Sequence, residues 1–215
     1  MTTKRATNSL RRFTTIGSAI DTLRNKRIAF VDPERWDDRN DAEYMRIYKE
    51  ECELDSLKAL CCTESPETYH HWKVFTSSSD GCFIDFKKTP MLNSIRRNDD
   101  YFFAAMEYAL LTNMGGSKYK IQDMPFLKRA GFEPELEYRI IYTGQCDGDA
   151  HFMPVKLSWI RRIVLNPWLP IPIADSIKAT LREICEPQDI TVTASRLTNS
   201  QTWTGYGRKI AKRGK

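Results

Sequence analysis

Glu135-Leu136-Glu137-Tyr138-Arg139-Ile140-Ile141-Tyr142-Thr143 is the stretch on which the reading of this chain turns. Its β-branched and aromatic content predicts a strand over residues 135–143. Side chains two apart on a strand share a face, so Glu135, Glu137 and Arg139 are expected to align. Two carboxylates on one face raise each other's proton affinity when water is excluded, and an arginine beside them offsets the repulsion. Such a pair suits general-base work or the stabilisation of a developing cation. A solvated ladder of Glu and Arg is the plainer reading of the same spacing.

Downstream, residues 144–149 read as a turn and 150–155 as the hairpin partner of that strand. A strand at 159–165, a stiff connection through Pro167, Pro170 and Pro172, a helix over 173–185 and a last strand at 190–194 follow. Upstream, the chain predicts a strand at 10–14 and a helix over 15–25, with Ile16, Ala19, Ile20 and Leu23 at helical spacing. A strand at 27–31 is stopped by Asp32-Pro33, and 41–54 reads as an exposed helix. A buried strand is expected at 57–63, a helix at 66–76 with Pro66 in its first turn, a turn at 77–81 and a strand at 82–86. Residues 99–112 read as a helix stopped at 113–116, and 123–130 as a short helix closed by Gly131. Many short strands with helices between them indicate one mixed α+β domain over 1–204 and a basic tail at 205–215.

At 215 residues, 41% hydrophobic and 11% aromatic, the chain can bury a real core, which excludes wholesale disorder. The net charge of +5 is concentrated in the tail, where Arg208, Lys209, Lys212, Arg213 and Lys215 meet no acid. Taking those five from the 33 basic residues leaves 28 against 28 acidic ones, so the body is formally neutral. No apolar run approaches the length of a membrane span, and residues 1–12 lack the apolar core of a secretory signal. Six cysteines without a Cys-x-x-Cys suit free thiols in a reducing cytoplasm, and three histidines with no paired thiols argue against structural zinc.

Four further constellations carry possible chemistry. Arg11-Arg12-Phe13-Thr14-Thr15 sets a guanidinium beside hydroxyls, a combination that holds phosphate, or else is a basic lead into the first strand. Asp32-Pro33-Glu34-Arg35-Trp36-Asp37-Asp38 is dense in acids but lacks calcium-loop spacing, so side-chain-to-backbone hydrogen bonds in a turn are expected. Cys61-Cys62-Thr63-Glu64-Ser65 ends an apolar strand with thiols and hydroxyls, and His70 and His71 stand nearby in sequence. The final stretch, residues 203–215, combines Trp203 and Tyr206 with five basic residues, which suits a phosphate backbone with stacked bases as well as a solubilising or docking segment.

Taken in order, the motifs resemble a bacterial family of unassigned function that is frequent near phage-defence genes. The likeness runs from Arg12 to Arg196: Arg12-Phe13-Thr14, Arg27-Ile28-Ala29-Phe30 with Pro33, Trp36 and Asp37, residues 60–65, Trp72 with Phe75, residues 81–86, Lys128 before Glu135-x-Glu137-x-Arg139, residues 162–165 with Pro167, and Ser195. Phe75 stands where that family usually has Tyr. The order Arg-x-Thr, a strand with Ser or Thr, then Glu-x-Glu also looks like the arrangement of NAD-dependent ADP-ribosyltransferases of the toxin type. That resemblance implies a central split sheet of short mixed strands with peripheral helices, and NAD as substrate with no metal. It implies Arg12, with Thr14, at the NAD phosphate or ribose, and Thr63 or Ser65 as the brace, although Cys62-Thr63-Glu64-Ser65 is an imperfect serine motif. Glu137 would be the catalytic glutamate and Glu135 would orient or deprotonate the acceptor. Phe30, Trp36, Trp72 or Phe83 would stack on nicotinamide, and Trp72 is grouped with the cofactor-binding residues. The implied function is ADP-ribosyl transfer to RNA, DNA or protein in phage defence, with an antitoxin as possible partner. A non-catalytic nucleic-acid or partner-binding module and a metal nuclease built on residues 32–38 are the competing readings.

Overall fold

The computed structural model describes residues 8–76, 78–115, 119–186 and 188–213, with no side chain described for Arg213. Ser77 of the expected turn, Gly116 of the expected helix stop, and Lys215 of the basic tail lie outside the described residues. The elements run β1 (Ser9–Thr15), α1 (Ile16–Asn25), β2 (Arg27–Val31), α2 (Arg39–Glu51), β3 (Lys58–Thr63), α3 (Tyr69–Phe75), β4 (Gly81–Lys87) and α4 (Lys88–Ile95). They continue with β5 (Tyr101–Ala105), β6 (Glu107–Ala109), β7 (Leu127–Arg129), β8 (Glu137–Tyr142), β9 (Ala150–Pro154), β10 (Ile160–Leu165), α5 (Ile171–Cys185), β11 (Thr191–Ala194) and α6 (Gln201–Arg213). The α+β class with short mixed strands and peripheral helices is the architecture expected.

Among the described residues, one sheet follows the order β11-β10-β4-β1-β3-β2-β9, with β8 and β5 added on the other edge of β3. Strand alternation sorts its side chains into two layers. Leu10, Leu60, Ile84, Ile140 and Ile163 point to one face and pack under α1, α4 and α5 through Leu23, Met91 and Leu181. The opposite face has two separate clusters. Met45 and Tyr48 of α2 cover Ala59 and Ile141, while Trp72 of α3 covers Phe13, Phe83 and Val164. The sheet is split between those clusters. β1 pairs with β4 along its whole length but touches β3 only at Arg11↔Thr63, and β2 touches β3 only at Val31↔Ala59. β8 occupies the other edge of β3 from Lys58 to Thr63, so β1 and β2 share one edge and peel away from it.

Several expectations are corrected. Residues 99–112 form β5, β6 and a 3-10 turn instead of a helix, because Tyr101–Ala105 pairs in register with Tyr142 back to Tyr138. Residues 123–130 divide between a 3-10 turn at Ile121–Phe126 and β7. β9 is no hairpin partner of β8; it pairs antiparallel with β2, Val31↔Ala150 through Arg27↔Pro154. α3 begins at Tyr69 under a Thr68 cap, three residues after Pro66, and α4 was not anticipated. α2 is not exposed all round, since Asp41, Ala42, Met45 and Tyr48 are buried. The basic residues Arg208, Lys209 and Lys212 sit on α6, a helix that begins at Gln201.

Candidate active site

The split leaves a cleft of about 840 Å³ over the open edge of β3, within the range of small-molecule sites. β1 contributes Arg12 and Thr14, β3 Cys61 and Thr63, α2 Asp41, and β8 Glu137 and Arg139; Trp36, Phe75 and Phe132 add aromatic walls. Where the β1–β3 ladder stops, the Arg12 guanidinium donates to the Cys61 carbonyl at 3.0 Å. Arg12 therefore satisfies a backbone acceptor that the split would otherwise strand.

The floor holds three buried carboxylates, the buried Arg139 and the half-buried Lys128. Arg139 grips Glu137 through Nε (2.8 Å) and a terminal nitrogen (3.1 Å). It grips Asp41 at 2.7 and 3.2 Å, donates to the Pro125 carbonyl at 2.9 Å, and lies 4.5 Å over the Trp36 ring. Lys128 Nζ bridges Glu135 at 2.7 Å and Glu137 at 3.2 Å. Burial alone drives a carboxyl up, yet the Arg139 and Lys128 cations outweigh it at Glu137 and hold that group at about 2. At Glu135 burial wins over Lys128 and the carboxyl is raised. Burial, helped by the Glu137 charge, also pushes up the Cys61 thiol, which is therefore a poor nucleophile. Two neighbouring carboxylates driven in opposite directions are the usual mark of divided acid–base roles.

Glu135 and Glu137 converge for a reason different from strand alternation. Glu135 ends a 3-10 turn (Ala130–Glu135), and Leu136 follows in the left-handed region at φ 44, ψ 48. For a non-glycine residue this costs roughly 1–2 kcal/mol and persists only where its surroundings impose it. Hydrogen bonds to its backbone hold the corner. The Glu135 carbonyl accepts from Thr63 Oγ1 (2.7 Å) and His71 Nε2 (3.1 Å). The Leu136 carbonyl accepts from the Glu64 N–H (3.2 Å) and is 3.1 Å from Thr63 Oγ1. The Glu137 N–H donates to the Tyr108 hydroxyl (2.8 Å), and its carbonyl accepts from the Met106 N–H (2.9 Å).

Arg12, Thr14, Thr63, Glu135 and Glu137 thus border one cleft. Ser65 and Trp72 do not. The Ser65 carbonyl accepts from Arg11, and its N–H donates to Thr63 Oγ1 at 3.0 Å. Trp72 is buried edge-on to Phe13 at 5.0 Å, with its indole N–H on Glu67 at 2.9 Å, so it has no face for a ligand. Phe30 and Phe83 are likewise core residues; of the four aromatics considered for stacking, Trp36 alone borders the cleft. The acidic turn behaves as a turn. Asp32 accepts from the Glu34 N–H at 3.0 Å and pairs with Lys58 at 2.8 Å, and Asp38 caps α2 through the Asn40 N–H at 3.1 Å. Among the described residues no group of three or more His, Cys, Asp or Glu has the geometry of a metal site, and no helix is long and apolar enough to cross a membrane. Asp41, Tyr108 and His71 are site-shaping residues that sequence reasoning did not assign. Of the three, His71 alone was noted, and then only as a neighbour in sequence of the Cys61-Cys62 thiols.

No protein-family model and no curated protein matches the chain, so the likeness to the phage-defence family stands on its motifs alone. Among solved structures, DarT of Thermus sp. 2.9 in complex with NAD+ aligns at a TM-score of 0.45 and 7% identity, over 90% of this chain and 98% of that one. The same protein with carba-NAD+ gives 0.44 and 8%, over 88% and 96%. With ADP-ribosylated ssDNA it gives 0.45 and 9%, over 88% and 94%. At such low values the likeness decides neither activity nor ligand, and the functional reading rests on the cleft.

Proposed function

We propose that this chain is an NAD-dependent ADP-ribosyltransferase with a nucleic-acid acceptor. The observation that carries the reading is the meeting, in one cleft at a sheet split, of the Arg12 guanidinium with two carboxylates of opposite acid–base character. Arg12 and Thr14 would bind the diphosphate and ribose, and Trp36 would flank the nicotinamide. As the bond between nicotinamide and ribose breaks, its electron pair leaves with the nicotinamide nitrogen and positive charge develops on the ribose. Glu137, ionised across the physiological range, stabilises that charge. An acceptor oxygen or nitrogen then bonds to the anomeric carbon, and Glu135, whose raised proton affinity suits a base, takes the acceptor's proton. α6 supports the choice of acceptor: Trp203 and Tyr206 are exposed on it beside Arg208, Lys209 and Lys212, and it carries no acid. As a toxin, such a protein would arrest growth when expressed and require a neutralising partner.

The test is transfer of labelled ADP-ribose from NAD to single-stranded DNA or RNA by purified protein. Glu137→Gln is expected to lose on the order of 10²–10³ in rate with its circular dichroism unchanged; undiminished labelling would remove Glu137 from the mechanism. One observation favours a non-catalytic binding module instead: both Glu137 oxygens are already engaged by Arg139 and Lys128. Salt-sensitive nucleic-acid binding without NAD turnover would establish that second reading.

A further inference from the structure

We propose that His71 is a positioning residue that holds the Glu135-Leu136-Glu137 corner and so ties the two halves of the split sheet together across the cleft; this rests on the transferase reading above. His71 is fully buried in α3 and does not border the cleft, so it acts through other groups. Its ring packs in a triangle with Phe13 of β1 (5.5 Å, 26°) and Phe75 (5.8 Å, 17°), which lie 6.0 Å from each other, and its Nε2 edge is left to reach a polar partner. That edge meets the Glu135 carbonyl at 3.1 Å. A carbonyl only accepts, so Nε2 carries the proton, and Nδ1 accepts from the Thr68 hydroxyl at 2.9 Å. The same hydroxyl accepts the His71 N–H at 3.2 Å as the cap of α3. The tautomer, the ring plane and the helix start are therefore fixed by one residue and directed at one atom.

That atom belongs to the other half of the sheet. α3 packs on the β1–β4–β10 half through Trp72, while the corner opens β8 on the β3–β5 side. Within an aromatic stack a phenylalanine would fill the same space. The polar tip of His71 is explained by the corner carbonyl, beside the left-handed Leu136 that aims both carboxylates at Lys128.

His71→Phe keeps the stack and removes the donor; His71→Gln restores a donor near Nε2. With NAD and single-stranded DNA, His71→Phe is expected to lower kcat about 10–100-fold, as a small misplacement of catalytic groups does, with KM for NAD nearly unchanged, and His71→Gln to recover most of the loss. Amide exchange without NAD reads the corner directly. The Glu137 and Glu64 N–H groups should exchange about five- to tenfold faster in His71→Phe, the equivalent of one lost hydrogen bond, with β4 and β10 amides unchanged. Should His71→Phe not fold, Thr63→Val removes the other donor to the same carbonyl and is read in the same two ways. Unchanged exchange, or loosened amides with wild-type kcat, overturns the proposal. A wild-type protein without NAD turnover overturns the transferase reading instead, and the exchange comparison still decides whether His71 holds the corner.

Discussion

Glu137 and Glu135 are two residues apart and titrate in opposite directions, which makes acid stability a probe of the site. Glu137 falls from an ordinary 4.5 to about 2 in the folded chain. A depressed carboxyl contributes stability that is present above pH 4.5 and is lost as pH falls from there to about 2; the amount is on the order of 3 kcal/mol. Glu135 is raised, so its contribution has the other sign, present at low pH and lost as pH rises through its folded value. Urea unfolding from pH 7 to 3 should therefore show the stability gap between wild type and Glu137→Gln narrowing as pH falls, and Glu135→Gln steepening the acid loss. Parallel curves for all three proteins would mean that Glu137 is not held by Arg139 and Lys128. Asp41 is the third carboxylate of the floor, and its removal leaves half of the buried Arg139 guanidinium without its anion. Asp41→Ala is expected to cost about 3–5 kcal/mol, measured by the same unfolding. The grouping of Glu135 with Glu137 was legible in the sequence because the two are neighbours. Asp41 was not, since it lies 98 residues from Arg139 and nothing local couples them. Nor was the left-handed Leu136, because leucine gives no signal for positive φ.

The strands that survive from sequence to structure, β1, β2, β3, β4, β8, β10 and β11, are short runs bounded by turn residues or alternating apolar positions. Those read wrongly depend on distant partners. Tyr101–Ala105 is apolar and Ala-containing, and such short runs do not distinguish helix from strand; the ladder onto β8, some forty residues on, decides it. β9 follows β8 by a short turn, and neighbouring strands usually pair, yet β5 and β3 already fill both edges of β8. α4 did leave a signal, Pro90 in the first turn and Met91, Leu92 and Ile95 buried together. Helix starts can be tested one at a time. Thr15 Oγ1 accepts the Ser18 N–H at 3.1 Å and caps α1. Thr15→Ala should cost about 1 kcal/mol, a fall in Tm of about 2–4 °C for a chain of this size, and Thr15→Asn should restore it. A Tm unmoved by Thr15→Ala would show that α1 is held by Ala19 and Leu23 in the core and not by its cap.

On the scale of the whole molecule, the proposed function would use two regions, the cleft at the sheet split and the basic helix α6. The charges of the cleft floor are paired and largely buried, so salt would screen a ligand's contacts there little. On α6, Trp203, Tyr206 and Ile210 are strongly exposed at i, i+3 and i+7, and Lys209 Nζ lies 5.7 Å over the Tyr206 ring. Trp203, which has no such cation contact among the described residues, is the aromatic that can be probed separately from the cations. If α6 carries single-stranded nucleic acid, replacing Arg208, Lys209 and Lys212 with Gln should make the plot of log affinity against log salt shallower by about 2, from roughly 0.7 per phosphate contact. Trp203→Ala should instead weaken binding by about 1–3 kcal/mol if a base stacks there, with the slope kept. Fluorescence anisotropy on a labelled single strand across a salt series measures both. A slope unchanged by the triple substitution would move the acceptor contact off α6, onto the rim of the cleft where Arg35 and Arg39 stand.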